Sequence, residues 1–153
     1  MKSNNQTIEL LQAILPTLTA AAQQHYLHAV INIKKGFTKL GNRMLEEYKE
    51  ETETVGKIVE RIIELGGDVH LEYSEIKLQV YQNVDDQLRN ELAFQLQSVE
   101  MLEKVIRDTD TDLVTENFLT DYLADETAHA AWLTQQVNLM EAIGLQNYLS
   151  KQM

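Results

Sequence analysis

Apolar residues recur at intervals of three and four along four long stretches of the chain, the spacing of a helix that buries one face. The first, residues 7–35, carries the row Ile8, Leu11, Leu15, Leu18, Ala22, His25, Ala29. Pro16 lies inside it and predicts a kink or local break, because its ring removes a backbone donor and crowds the preceding turn. Gly36 and Gly41 mark the first connection. The second stretch, residues 42–65, has the row Met44, Tyr48, Glu51, Val55, Ile58, Ile62, Leu65, and Gly66-Gly67 ends it. The third, residues 84–107, has Leu88, Leu92, Gln95, Val99, Leu102 and Ile106. The fourth, residues 112–143, has Leu119, Tyr122, Glu126, His129, Leu133, Val137 and Met140. Asp108-Thr109-Asp110-Thr111-Asp112 is a polar cluster suited to ending one helix and capping the next. After Gly144 the tail 145–153 predicts a short fifth helix.

Residues 68–82, with Val69-His70-Leu71-Glu72-Tyr73, show no sustained helical row. Such a long connection predicts a crossover along the bundle rather than a tight hairpin. The chain therefore reads as one all-α domain, residues 1–153. Its architecture is a ferritin-like four-helix bundle with a long crossover between helices 2 and 3 and a short C-terminal fifth helix. Four-helix cytokines compete with this reading, but they carry two long crossovers and are secreted.

Composition narrows the field. The 153 residues hold six glycines and one proline, too few turn signals for a many-stranded sandwich or barrel. The absence of cysteine excludes disulfides, thiolate zinc sites, cysteine nucleophiles and iron–sulfur clusters, and suits a reducing cytoplasm. The N-terminus leads into an amphipathic stretch, so neither a signal peptide nor a membrane span is expected. Thirteen basic against twenty-four acidic residues give a net charge of −11 with no basic cluster, which argues against nucleic acid as a partner.

The chemistry lies where polar residues interrupt the apolar rows. His25, Glu51, Gln95, Glu126 and His129 each fall near mid-helix on a face that should be core. Buried charge costs several kcal/mol unless it is paired or bound to metal. Glu126-Thr127-Ala128-His129 places a carboxylate and an imidazole on one face, able to reach one metal ion; di-iron bundles use this spacing. The competing reading is a closed hydrogen-bond network that fixes helix register without metal. His28, off the row, reads as a surface or interface residue. Glu46, Glu50 and Glu53 share another face of the second helix, either as a solvated stripe or as hard oxygen donors for hydrated iron.

Asp125-Glu126-Thr127-Ala128-His129-Ala130-Ala131-Trp132-Leu133, followed by Ile143-Gly144-Leu145-Gln146-Asn147-Tyr148-Leu149, resembles the end of the bacterioferritins. Gln24-His25-Tyr26-Leu27-His28-Ala29 and Glu60-Arg61-Ile62 resemble their first two helices. The resemblance implies a cytoplasmic, hollow cage of twenty-four subunits, built from two-fold pairs, that stores ferric mineral. It also implies two irons per bundle, held by two Glu-x-x-His pairs and two lone glutamates. Glu51, Glu126 and His129 match that pattern. Leu18, Thr54 and Gln95 stand where a glutamate, a histidine and a glutamate are implied. Thr52 stands at the haem-ligating methionine's position, and Met44, two turns away, is no replacement, so no haem is expected.

The expected function is thus an iron-storage cage subunit with a degenerate ferroxidase centre. It would hold one metal among Glu51, Glu126, His129, Gln95 and His25, with Glu46, Glu47 and Glu50 binding iron on the inner surface and a second ferritin-type subunit as a potential cage partner. Two alternatives stand beside it. One is an active ferroxidase with a rearranged site, drawing on Glu47, Glu91 or His25. The other is a metal-free structural shell. A twelve-subunit miniferritin and a rubrerythrin-like peroxidase fit less well, lacking a basic extension and cysteines respectively.

Overall fold

The computed structural model describes residues 4–72 and 77–153. It has five helices: α1 Asn4–Lys34, α2 Thr38–Glu64, α3 Val84–Asp108, α4 Leu113–Ile143 and α5 Leu145–Ser150. The expected rows are the buried faces. α1 runs unbroken through Pro16, contrary to the expected break. Leu11, Leu15 and Leu18 on either side of the proline are anchored in one apolar cluster, and that packing overrides the loss of a single backbone hydrogen bond.

The first connection is shorter than expected, and Gly41 lies within α2 rather than in a turn. It marks a close approach: a Cβ there would stand 2.5 Å from Ile33 Cγ1 and 2.9 Å from the Ala29 carbonyl oxygen. The α2 C-terminus turns at Gly66, whose φ of 87° suits glycine. Asp112 caps α4 as expected, its carboxylate accepting from the Thr115 backbone N–H at 3.0 Å and from Arg61 at 2.6 Å.

α1 packs along α2, and α3 along α4. The crossover runs the length of α1, tied down by side chains meeting its backbone. Gln12 bonds His70 through both amide atoms, Gln24 donates to the Gln79 carbonyl at 2.7 Å, and Lys35 donates to the Gln82 carbonyl. The order 12, 24, 35 against 70, 79, 82 shows that the crossover travels in the direction of α1. α3 therefore starts where α1 ends and runs parallel to α2, while α4 runs parallel to α1. Tyr73, within the expected crossover, and Met1 to Ser3 lie outside the described residues.

Two apolar clusters fill the bundle ends. One contains Leu40, Met44, Leu88, Leu133 and Tyr148 of α5. The other contains Leu11, Leu15, Leu18, Ile58, Leu102 and Tyr122. α5 folds back on the α1–α2 turn, where the Lys39 N–H donates to the Gln152 carbonyl at 2.9 Å. A belt of buried polar side chains separates the clusters. Among the described residues no helix is long and apolar enough to cross a membrane.

Candidate metal centre

The belt is built by four helices, each contributing polar residues one or two turns apart. α1 supplies His25, His28 and Asn32; α2 supplies Glu47 and Glu51; α3 supplies Gln87, Glu91 and Gln95; α4 supplies Glu126 and His129. All are buried. His25 is central. Its Nδ1 lies 2.6 Å from Glu51 Oε1 and its Nε2 lies 3.5 Å from Glu91 Oε1. The His129 ring meets it edge-on at 5.3 Å.

His129 Nδ1 is 3.0 Å from Glu47 Oε2, and the His129 ring stacks on Trp132. Arg43 covers the outer face of Trp132 at 4.6 Å and reaches Glu47 at 3.4 Å. On the far side, Gln95 Nε2 donates to Glu126 Oε2 at 2.6 Å and to the Glu126 carbonyl at 3.0 Å.

Burial and charge set the protonation states. Burial alone would pull His25 down, but the charges of Glu51 and Glu91 outweigh it and push its pKa up to about 10. Glu126 rises to about 8, because burial and the Glu51 charge both oppose its ionisation. Burial also opposes ionisation of Glu47, but the His129 bond and charge prevail and its pKa falls.

His28 has a tautomer fixed by its neighbours. The Tyr81 backbone N–H donates to Nε2 at 2.9 Å, so the ring proton sits on Nδ1, which donates to Glu91 Oε1 at 2.9 Å. His28 thus orients Glu91 rather than facing solvent, correcting the surface expectation.

The five expected metal-site residues, His25, Glu51, Gln95, Glu126 and His129, are brought into one belt. Glu46, Glu50 and Glu53 are exposed on α2, and Asp125 of α4 acts on Glu50, whose pKa is raised by partial burial and by Glu47. Glu47 departs from the expected inner-surface set. It is 4% exposed and turns into the bundle, because it shares the helical face of Glu51 four residues on. The sequence reading missed the interior roles of Gln87 and Asn32. Yet the spacing Gln87, Glu91, Gln95 repeats every four residues, as does Glu47, Glu51, and that periodicity was the available signal.

Leu18 belongs to an apolar cluster, and the Thr54 hydroxyl donates back to the Glu50 carbonyl at 3.1 Å. Among the described residues, no three histidine or acidic side chains are arranged around a common point as metal ligands. The donors close on one another instead, with poor alignment. His25 Nδ1, Glu51 Oε1, Glu91 Oε2 and both His129 nitrogens are buried without a well-formed hydrogen bond. Such clustered, incompletely satisfied atoms suit one cation or a few ordered waters.

Residues 8–143 match the Ferritin family, described as a ferritin-like domain. The chain is 31% identical to a bacterial ferritin of Neisseria meningitidis over the whole of both proteins. It is 31% identical to one of Pseudomonas aeruginosa over 99% of each. It is 28% identical to a bacterioferritin of Streptomyces coelicolor over 98% of this chain and 90% of that one. With a full-length helical bundle, a long crossover and a polar belt at its centre, the chain belongs to the ferritin-like family, among the bacterioferritins.

Proposed function

We propose that the protein is a subunit of a bacterioferritin-type iron-storage cage whose bundle centre is degenerate, holding one metal ion at most and no haem. The observation that supports this reading is that Leu18 is packed in the apolar cluster and the Thr54 hydroxyl is spent on its own helix, at two positions where the resemblance implies iron ligands. Glu51, Glu126, His129, Gln95 and His25 surround the other position, with oxygen and imidazole donors that suit iron, manganese or zinc. Iron is the cargo. Exposed Glu46 and Glu50 present hard oxygens to it, and Glu47 is reassigned to the bundle interior.

We infer self-assembly into a cage, of twenty-four subunits built from two-fold pairs, as the resemblance to the bacterioferritins implies. Exposed Tyr26, Leu27 and Val30 on α1, with Tyr26 against Tyr48 of α2, offer an apolar face for such a pair. A second ferritin-type subunit would supply the rapid oxidation this centre lacks. A cysteine-free chain suits the cytoplasm.

A second reading has its own support. Glu91, oriented by His28 and with Oε2 unsatisfied, is a carboxylate that a rearranged ferroxidase site would use together with His25 and Glu47. Aerobic Fe(II) addition to metal-free protein separates the two. Oxidation at the rate of a protein-free control, with ferric iron retained in solution, supports storage with a degenerate centre. A fast phase saturating at a fixed iron-to-chain ratio supports the ferroxidase. Failure to retain any iron would leave a structural shell, and a Soret band in the purified protein would overturn the absence of haem.

A further inference from the structure

α2 and α4 meet along a seam that Arg61 ties at one end, donating to Thr115 and Asp112. Toward the other end stands Arg43. Its guanidinium lies over the Trp132 ring at 4.6 Å, and Trp132 in turn stacks on His129. The same guanidinium reaches Glu47 Oε2 at 3.4 Å, the oxygen that lies 3.0 Å from His129 Nδ1. The Arg43 side chain is 31% exposed, whereas those of Glu47 and His129 are 5% and 3% exposed. Arg43 is thus the outer layer of a stack that ends in the belt.

Two features separate this stack from an ordinary surface ion pair. Both His129 nitrogens are buried without a well-formed hydrogen bond, so metal-binding capacity lies unused beneath the arginine. The Arg43 charge also acts on both Glu47 and exposed Glu50, so one cation serves a buried and a solvent-facing carboxylate. A long contact from a half-exposed side chain is weak and yields its oxygen readily to a divalent ion. Guanidinium cannot give up its proton, so it has to move rather than neutralise itself.

We propose that Arg43 is the resident counter-cation of the metal-free belt, and that a divalent metal ion taken up by Glu47 and His129 displaces it toward solvent. This rests on the reading that the belt holds one metal ion. Arg43 and Glu47 join that site in opposite senses. Glu47 attracts the ion, while the arginine charge repels it and sets the concentration at which the belt fills.

The test titrates zinc chloride into the full-length assembled protein after metal removal by chelation. Binding is read by calorimetry and by the emission of Trp132, the chain's single tryptophan. Loss of the overlying guanidinium and occupation of the stacked His129 should both perturb that emission, whereas zinc on exposed Glu46 or Glu50 should not. One zinc per chain is expected in both signals. Arg43→Leu and Arg43→Gln, which remove the charge, should each tighten binding about fivefold or more. Arg43→Lys, which keeps the charge, should stay near the parent. Zinc binding by the neutral variants alone would also support the proposal. Equal affinity in all four proteins would leave the metal centre standing and overturn the role of Arg43. Weaker binding in both neutral variants would overturn it too, making Arg43 a group that holds Glu47 in place for the metal. Binding that leaves Trp132 emission unchanged would put the ion elsewhere and overturn the proposal. Absence of calorimetric binding in every variant would sink the one-metal reading and this proposal with it.

Discussion

His25 and Glu51 stand 2.6 Å apart on adjoining helices, each side chain 4% exposed. With Glu91 at the other ring nitrogen, the imidazole of the metal-free protein is held doubly protonated, as a cation inside a ring of carboxylates, and a metal ion taking it as a ligand must first expel a proton. Removing one member of such a buried group leaves uncompensated charge and costs about 3–5 kcal/mol. His25→Leu should therefore lower the denaturant midpoint strongly, and adding Glu51→Gln should recover part of the loss.

The same pair predicts a pH dependence. The folded pKa of His25, about 10, lies above the ordinary 6.5, so the folded state binds the proton more tightly. The stabilisation is complete below about pH 6.5 and fades as the pH rises toward about 10. Denaturant midpoints should fall across that window in the parent and change less in His25→Leu.

Glu126 titrates near 8 because burial and the Glu51 charge oppose its ionisation. At pH 7 it is mostly protonated, so a metal ion that takes it as a ligand must expel that proton. Zinc binding measured calorimetrically in buffers of differing ionisation enthalpy should show proton release at pH 7, reduced by about one proton in Glu126→Gln. Affinity should weaken as the pH falls.

The helical rows were legible because burial repeats with the helix, and the residues they exposed to suspicion, from His25 to His129, do share one belt. Two features were not legible and a third was easily misread, for identifiable reasons. Pro16 obeys packing around Leu15 and Leu18 rather than its own propensity. The crossover path is set by Gln12, Gln24 and Lys35 meeting backbone atoms, contacts with no periodicity. Glu47 sits among Glu46, Glu50 and Glu53 in sequence, and only its place one turn from Glu51 turns it inward.

Gly41 and Gly56 make a matched pair within α2. A Cβ at Gly41 meets the Ala29 carbonyl at 2.9 Å, while one at Gly56 meets nothing within 4 Å. Gly41→Ala should force α1 and α2 apart and destabilise by about 1–3 kcal/mol. Gly56→Ala should stabilise by about 0.5–1 kcal/mol through helix propensity alone. Opposite shifts in denaturant midpoint check the pair.

The last prediction concerns the missing ligands. Leu18→Glu, Thr54→His and Gln95→Glu together restore the donor types that the bacterioferritin resemblance implies. The cost concentrates at Leu18, which is packed in the apolar cluster with Leu11, Leu15 and Ile58, and at Gln95, whose amide now holds Glu126 at 2.6 Å. A carboxylate at 95 would add a further negative charge against Glu126, whose ionisation Glu51 already opposes and His25 only partly offsets, so the metal-free triple variant should be less stable than the parent. Divalent metal, by neutralising those carboxylates, should raise its melting temperature more than it raises the parent's. If the lost donors are what disabled the centre, the variant should also gain a fast phase of aerobic Fe(II) oxidation saturating near two irons per chain. Metal-dependent stabilisation without that phase would mean that His25 and its carboxylate partners still occupy the space the second metal needs, and adding His25→Ala would then be required to clear it.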